Sequence, residues 1–432
     1  MEKYYENITS EKKLTSILIA VNDNSISDFA YMIDEMKRLV EACDMDVKDV
    51  VVQELANPNP GTYVGTGKLE EIKILANALE VDYCIVADNL SPAQLKNITD
   101  TVDTAVLDRT GLILEIFARR AKTREARLQV ESANLQYLLP RLVGMRKSLG
   151  RQAGASGSLS NKGQGEKQLE LDRRHIERRI TEVRRELDSI NHDRDVQRAL
   201  RQKNQIPCVS LVGYTNAGKS TLMNHLLSSQ NADDEKKVFE KDMLFATLDT
   251  TTRRIDCPDN KSFLLSDTVG FVSNLPHGLV KAFRTTLSEA CLADLLLIVV
   301  DSSDPYLKEQ LEVTENTLKE LGCGDIDRIY VYNKCDRLEI IPSITPYNET
   351  RVYISAKNGF GIDKLMSEIK KSLFKNNRVV EITIPYTEGS LIDLLNREAT
   401  VLETDYREDG IYVKADISRK ILGLLDLKGL IK

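Results

Sequence analysis

The sequence predicts an α/β chain of several parts, with a mostly parallel sheet flanked by helices at its centre. Three observations carry this. β-like runs alternate with helical segments in the N-terminal part, a long charged helical stretch with a Gly-rich interruption follows, and a strand, a glycine loop and a helix open the region after it. The 432 residues exceed what one hydrophobic core organises, and about 150 residues per domain argues for roughly three folding units. With 42% hydrophobic and 29% charged residues the chain has the composition of a soluble globular protein, which excludes fibrous and disordered classes.

Residues 1–109 read as a small, mostly parallel α/β domain. Strands are expected at Ser16 to Val21, Val47 to Gln53, Tyr83 to Ala87 and Thr104 to Leu107, and helices near Ser27 to Cys43, Lys68 to Leu79 and Pro92 to Ile98. From Thr110 the texture becomes that of one long charged helix, whose Ala121, Leu128, Leu135 and Leu142 recur every seven residues along one stripe. GRQAGASGSLSNKGQGEK, about residues 150–167, is too rich in Gly and Ser to hold a helix. A second helix is expected from about Gln168, where Ile176, Ile180, Val183, Leu187 and Ile190 are spaced 4, 3, 4, 3 as in a two-helix seam. Residues 110–205 therefore form an antiparallel helical hairpin with a polar tip.

The net charge of −7 gives no global sign of a nucleic-acid partner, but Phe117 to Gln152 holds a basic cluster. Arg119, Arg120, Lys122, Arg124, Arg127, Arg141, Arg146, Lys147 and Arg151 are opposed there only by Glu125 and Glu131. Such charge fits a solvated helical face as well as an RNA-binding one. The opening MEKYYENITSEKK is too polar for a signal peptide and no run is long and apolar enough to span a bilayer, so a cytoplasmic protein is expected. Cys43, Cys84, Cys208, Cys257, Cys291, Cys323 and Cys335 are scattered, odd in number and never paired as Cys-x-x-Cys; they read as buried or incidental thiols.

Residues 206–376 carry the chemistry. Ile206 to Val212 reads as a buried strand running into Gly213, Tyr214, Thr215, Asn216, Ala217, Gly218, Lys219, Ser220 and Thr221, before the helical Leu222 to Leu227. In such a loop the glycines let backbone N–H groups wrap phosphates, Lys219 neutralises β and γ oxygens, and the Ser220 hydroxyl can ligate Mg²⁺. The strand Phe263 to Ser266 ends at Asp267, Thr268, Val269 and Gly270, where the carboxylate can hold the Mg²⁺ shell and the Gly270 N–H can meet a γ-phosphate. Arg328 to Tyr332 leads to Asn333, Lys334, Cys335 and Asp336, whose carboxylate can accept two hydrogen bonds from guanine that adenine does not supply. Val352 to Ile354 delivers Ser355, Ala356 and Lys357 to the base carbonyl. The set predicts a P-loop GTPase domain with GTP as substrate and Mg²⁺ as cofactor.

Between the first two motifs a Thr is needed to close over Mg²⁺ and γ-phosphate. Thr247, within Phe245, Ala246, Thr247, Leu248 and Asp249, is the first choice, with Thr250, Thr251 and Thr252 as competitors. Lys219, Gly270 and this closing Thr, with Thr247 as first choice, are the expected catalytic residues. Phe271 stands where many GTPases place a water-orienting glutamine, so unaided hydrolysis should be slow. Asn216 is either a K⁺ ligand, with K⁺ as activator, or a turn stabiliser.

With these residues in hand, the chain resembles the HflX family of GTPases over nearly its whole length. GYTNAGKST, FATLD, DTVGF and NKCD resemble the family's nucleotide motifs. More specific are Asn57 to Pro60 through Tyr63 to Lys68, Asp108-Arg109-Thr110, Ile116 to Ala121, Thr123 to Ala126 and Tyr137 to Leu142. The resemblance implies a ribosome-associated factor that binds the large subunit and its rRNA through the N-terminal domain and hairpin, and splits ribosomes or rescues stalled ones; a monomer is expected. It also implies that Ser220 and Thr247 are the Mg²⁺ ligands, that Phe245 to Asp249 contact nucleotide, and that a hydrophobic residue at Phe271 is normal. Two departures stand out: Thr250 where the family has proline, and a tip reading Ser160 to Lys167 with Lys162 in place of an arginine.

Residues 377–432 read as a small α+β domain. They offer a strand from Val379 to Ile384, a helix near Leu391 to Arg397, and strands Val401 to Tyr406 and Gly410 to Ala415 joined at Glu408-Asp409. Two other classes of function compete. One is an RNA-binding assembly module in which GTP acts only as a switch; the other, GTP-dependent tRNA modification, lacks a C-terminal catalytic Cys motif.

Overall fold

A computed structural model describes residues 13–23, 29–152, 170–190, 192, 206–228, 251–268, 270–271, 290–340, 350–427 and 430, with backbone only over 143–152. These residues fall into two compact units, one up to residue 192 and one from residue 206 onward.

The first unit opens with β1 (Leu14–Asn22), α1 (Phe29–Ala42), β2 (Met45–Glu54), α2 (Thr66–Ala78), β3 (Tyr83–Val86), α3 (Pro92–Val102) and β4 (Ala105–Leu107). The sheet order is β2-β1-β3-β4, and every pairing is parallel. Central β1 is apolar on both faces because both are covered: Ile17, Ile19 and Val21 share a core with Leu69, Ile72 and Ile98, and Leu18 and Ala20 are buried too. Ser91 and Gln94 start α3 by a reciprocal capping box.

The long helix expected from Thr110 is two helices, α4 (Arg109–Arg120) and α5 (Arg124–Gln152). Thr123 makes the break, its hydroxyl accepting from Ala126 N at 3.1 Å to start a new N-terminus. Ala121, read as the first member of the heptad stripe, lies in this junction. Buried Leu112, Ile113, Ile116 and Phe117, together with the buried ion pair Arg109–Glu35, pack α4 with the N-terminal sheet. α5 continues three residues into the stretch read as loop, since one glycine costs a helix only about 1 kcal/mol.

The partner helix, α6, spans residues 170–190. Its Ile176, Ile180 and Val183 are buried and its Leu187 and Ile190 half-buried, as the seam spacing predicts. Arg124 pairs with Glu186 and Glu131 with Arg179. Seven steps up α5 (124 to 131) match seven steps down α6 (186 to 179), so the hairpin is antiparallel.

The second unit holds β5 (Cys208–Val212), α7 (Lys219–Ser228), β6 (Thr251–Asp256), β7 (Ser262–Asp267), β8 (Leu295–Asp301), α8 (Leu307–Leu321), β9 (Asp327–Asn333), β10 (Thr350–Tyr353) and α9 (Ile362–Leu373). The order β10-β9-β8-β5-β7-β6 is parallel except for the antiparallel edge strand β6. β6 and β8, buried from Leu295 to Val300, were not anticipated as strands; β8 joins the two halves of the sheet.

A second sheet, β11 (Arg378–Ile384), β12 (Thr400–Arg407) and β13 (Gly410–Ile417), is antiparallel in the order β11-β13-β12 and packs on α10 (Gly389–Glu398) and α11 (Arg419–Leu427). The turn falls at Glu408-Asp409 as expected, whereas α11 was not foreseen. This sheet is tied to the β6–β7 hairpin, where Lys261 Nζ meets Asp416 at 2.6 Å and Asn260 donates to Asn396 O at 2.9 Å.

One cysteine expectation is overturned. Cys291 and Cys323, read as thiols, are joined by a disulfide across 32 residues of sequence. Their separation carries no signal, because the pair meets only once the turn at Ala290–Leu292 packs beside the end of α8. The other five cysteines form no disulfide, and burial pushes the Cys43 thiol up to about 12 and that of Cys84 up to about 11, as inert thiols require. Among the described residues no helix is long and apolar enough to cross a membrane.

Candidate functional site

β5 is buried and hydrophobic, and its last residue hands the chain to a loop that only particular residues can follow. Gly213 has φ +143°, and a Cβ there would lie 2.1 Å from Val299 O on β8. Gly218 has φ +92°, and a Cβ there would meet Asn333 Nδ2 at 2.2 Å. Asn216 between them is left-handed at φ 60°, which suits the turn-stabilising role. Lys219 then opens α7, so the loop closes at a helix N-terminus.

The Lys219 ammonium is buried and donates to the carbonyls of Gly213 and Tyr214 at 3.0 and 2.8 Å. Burial pushes its pKa down to about 8, against the opposing pull of Asp267. Ser220 Oγ donates to Asp267 Oδ2 at 2.8 Å. A serine hydroxyl beside a buried carboxylate is a hard-oxygen donor set, and it fits Mg²⁺. The Thr268 hydroxyl donates to Leu211 O at 2.7 Å, tying the end of β7 to β5.

The strand end beyond β7 is stitched to the loop. Phe271 N donates to Gly213 O at 3.1 Å and Thr215 N donates to Phe271 O at 2.8 Å. The Phe271 side chain is 1% exposed and belongs to the core. Gly270 is required here, since a Cβ would lie 2.7 Å from Thr215 Cγ2 and 3.0 Å from Lys219 Nζ.

The base-side residues converge through Asn333. Its amide donates to Ala217 O at 2.9 Å and its carbonyl accepts from Ala356 N at 2.9 Å, bracing the phosphate loop and the Ser355–Lys357 turn with one side chain. Lys334, left-handed at φ 61°, pairs with Asp301 at 2.8 Å, and Cys335 N donates to Ile354 O at 3.1 Å. The Asp336 carboxylate and Lys357 are exposed, open to a ligand. Asp301 and Ser302, whose hydroxyl donates to Asn333 O at 2.6 Å, were missed by sequence reasoning. The signal lay in the apolar run Leu295 to Val300 ending in Asp301, Ser302 and Ser303, a strand terminating at the same edge of the sheet.

The structure thus brings together 213–221, 267, 268, 270, 333–336 and 355–357. Phe245, Ala246, Thr247, Leu248, Asp249, Val269, the Thr250 departure and the tip Ser160 to Lys167 lie outside the described residues. Thr251 and Thr252, competitors of Thr247, belong to β6, with the Thr252 hydroxyl 2.8 Å from that of Ser266.

Three family models match in succession: "GTP-binding GTPase N-terminal" over residues 30–118, "GTP-binding GTPase Middle Region" over 120–201 and "50S ribosome-binding GTPase" over 208–334. The GTPase HflX of Caldanaerobacter subterraneus subsp. tengcongensis is 43% identical over 389 residues, 90% of this chain and 88% of the relative. The chain belongs to the HflX family of GTPases. The GTPase HflX of Lacrimispora saccharolytica is 42% identical with 95% of each chain covered, and that of Escherichia coli K12 is 39% identical over 88% of this chain and 87% of its own. As an HflX family member the protein hydrolyses GTP to GDP and phosphate, on an α/β fold with a P-loop.

Proposed function

We propose that this GTPase binds the large ribosomal subunit and its rRNA through the first sheet and the helical hairpin, and couples GTP binding and hydrolysis to splitting ribosomes or rescuing stalled ones. The family description of residues 208–334 supports the ribosomal partner. So does the hairpin, where Arg178, Arg184 and Arg185 of α6 are exposed, a surface suited to phosphates. The protein acts as a monomer in the cytoplasm, and its four-part division at residues 109, 205 and 376 belongs to this reading.

In this reading Lys219 neutralises the β- and γ-phosphates and the backbone of residues 213–221 wraps them. Ser220 and Thr247 would hold Mg²⁺ beside Asp267, and the ion supplies positive charge to the phosphate oxygens. The Gly270 N–H meets the γ-phosphate, Phe245 to Asp249 close over the nucleotide, Asp336 selects guanine, and Ser355 to Lys357 receive its carbonyl. Asn216 holds the turn of the phosphate loop, and K⁺, where it acts as activator, would take its side-chain oxygen as a ligand.

The observation that carries the coupling is Phe271, buried and bound by its backbone to the phosphate loop. It has no side-chain group to offer water, so turnover waits on the partner. Sedimentation with separated ribosomal subunits tests this. Co-sedimentation with large subunits in a non-hydrolysable GTP analogue, weaker in GDP, is expected; binding only to small subunits, or none, rejects the partner.

A further inference from the structure

The Cys291–Cys323 bond lies at the edge of the second unit's sheet opposite the nucleotide site. Cys291 sits in the Ala290–Leu292 turn that leads into β8, and Cys323 follows Gly322, the cap of α8, before β9 begins. The bond closes a loop with a sequence separation of 32, and that loop holds β8, the strand joining the two halves of the sheet.

Neither backbone depends on the bond for its place. Cys323 N donates to Leu318 O at 2.9 Å and Gly322 N to Lys319 O at 3.0 Å, the paired bonds of a glycine helix cap. On the other side Ala293 N donates to Ala290 O at 3.2 Å. Asp294 ties the same turn to β5, its N–H donating to Cys208 O and its carboxylate accepting from Cys208 N, each at 2.8 Å. The two sulfurs therefore meet in a frame that other contacts build, so the bond can open and close without refolding. They differ in access: Cys323 is 0% exposed, whereas Cys291 is half-buried beside the exposed Leu292. Cys291 Sγ also lies 3.6 Å from Leu321 O, which gives a free thiol at 291 an acceptor. The fold thus accommodates both the disulfide and the dithiol.

We infer that Cys291 and Cys323 are a reversible redox site, oxidised by small-molecule disulfides and reduced by small thiols. The Cys291 thiol gives its proton to water, and its sulfur attacks one sulfur of the small disulfide, whose S–S bond breaks and whose other half leaves as a thiol. The Cys323 sulfur then attacks Cys291 Sγ and releases the second small thiol. Two protein thiols are oxidised and one small disulfide becomes two thiols; reduction runs the same steps backward, entering at the accessible Cys291. The ribosomal reading above supplies the setting, since disulfides are rare where thiols are kept reduced and those that form there are usually transient. The chemistry itself does not depend on that reading. Closing the loop around β8 restricts the unfolded chain, so the oxidised protein is the more stable form.

Thiol counting on the full chain tests this. Protein reduced with dithiothreitol is exposed to oxidised glutathione, free thiols are alkylated, and the digest is read by mass spectrometry. Loss of two thiols per chain with a Cys291–Cys323 linkage is expected, fully reversed by dithiothreitol in the folded protein, with the melting temperature higher by about 5–15 °C in the oxidised form. Cys323→Ala should stop at glutathione attached to Cys291, and Cys291→Ala should leave Cys323 unmodified. No linkage, a linkage through other cysteines, one that opens only on unfolding, or a melting temperature unmoved by oxidation overturns the inference. The wild-type measurements decide it even if a variant fails to fold. Sedimentation with ribosomal subunits judges the ribosomal reading separately, and neither result alters the thiol count.

Discussion

Asp108, just beyond β4 in the first unit, and Asp267, ending β7 in the second, are both 0% exposed at the C-terminal edge of a parallel sheet, yet they keep different company. Asp108 accepts from Gly111 N at 2.8 Å, Tyr137 Oη at 2.7 Å, Leu90 N at 3.1 Å and Arg141 at 2.7 Å. The Arg141 guanidinium also stacks 3.3 Å from the centre of the Tyr137 ring. These donors belong to fixed backbone and to α5, so the carboxylate rivets the hairpin to the sheet. Asp267 meets a serine hydroxyl and lies near a buried ammonium, groups that a phosphate and a cation can also engage. The same residue type on the same fold logic is structural in one place and chemical in the other, and the mobility of its partners' allegiance decides which.

The sharpest way to break this contrast is Asp108→Ala. It leaves the half-buried Arg141, Tyr137 and two backbone N–H groups without their shared acceptor, and the first unit should lose about 3 kcal/mol in denaturant unfolding while GDP affinity stays unchanged. A matching loss of GDP affinity would show that Asp108 is not confined to structure. Asp267→Asn should do the reverse, slowing Mg²⁺-dependent hydrolysis about 10²–10³-fold with little change in unfolding of either unit. Normal turnover in that variant would return Asp267 to the structural class.

The gentlest test uses pH. In the nucleotide-free protein Lys219 loses its proton above about 8, whereas bound phosphates favour its charged form, so binding takes up a proton in that range. GDP affinity should be flat below about pH 8 and fall by up to about tenfold per pH unit above it, toward the ordinary lysine value. Calorimetry in buffers of different ionisation enthalpy reads the proton directly. No uptake at pH 9 or so would mean that the ammonium is already secured by Asp267 and the loop carbonyls.

Much of the second unit was legible because its chemistry is local. Residues 213–221, 267–270, 333–336 and 355–357 are short runs, each following an apolar strand, and their order along the chain announces a P-loop site. The antiparallel hairpin was legible from the spacing of Ile176 to Ile190 for the same reason. The break at Thr123 was not, because Arg, Lys and Ala all favour helix and one side-chain cap decided the matter. Nor was β8, a run apolar enough for a buried helix or a strand.

By itself, the sequence determined which residues have the chemistry to grip phosphates, choose a base and bury a seam, since these depend on residue type and close spacing. Only the tertiary structure decided which distant groups meet: Asn333 with both Ala217 and Ala356, Asp108 with Arg141, Cys291 with Cys323, and Thr215 with Gly270. Those contacts form when strands and helices far apart in the chain pack side by side, and packing is a property of the whole core rather than of any stretch of it.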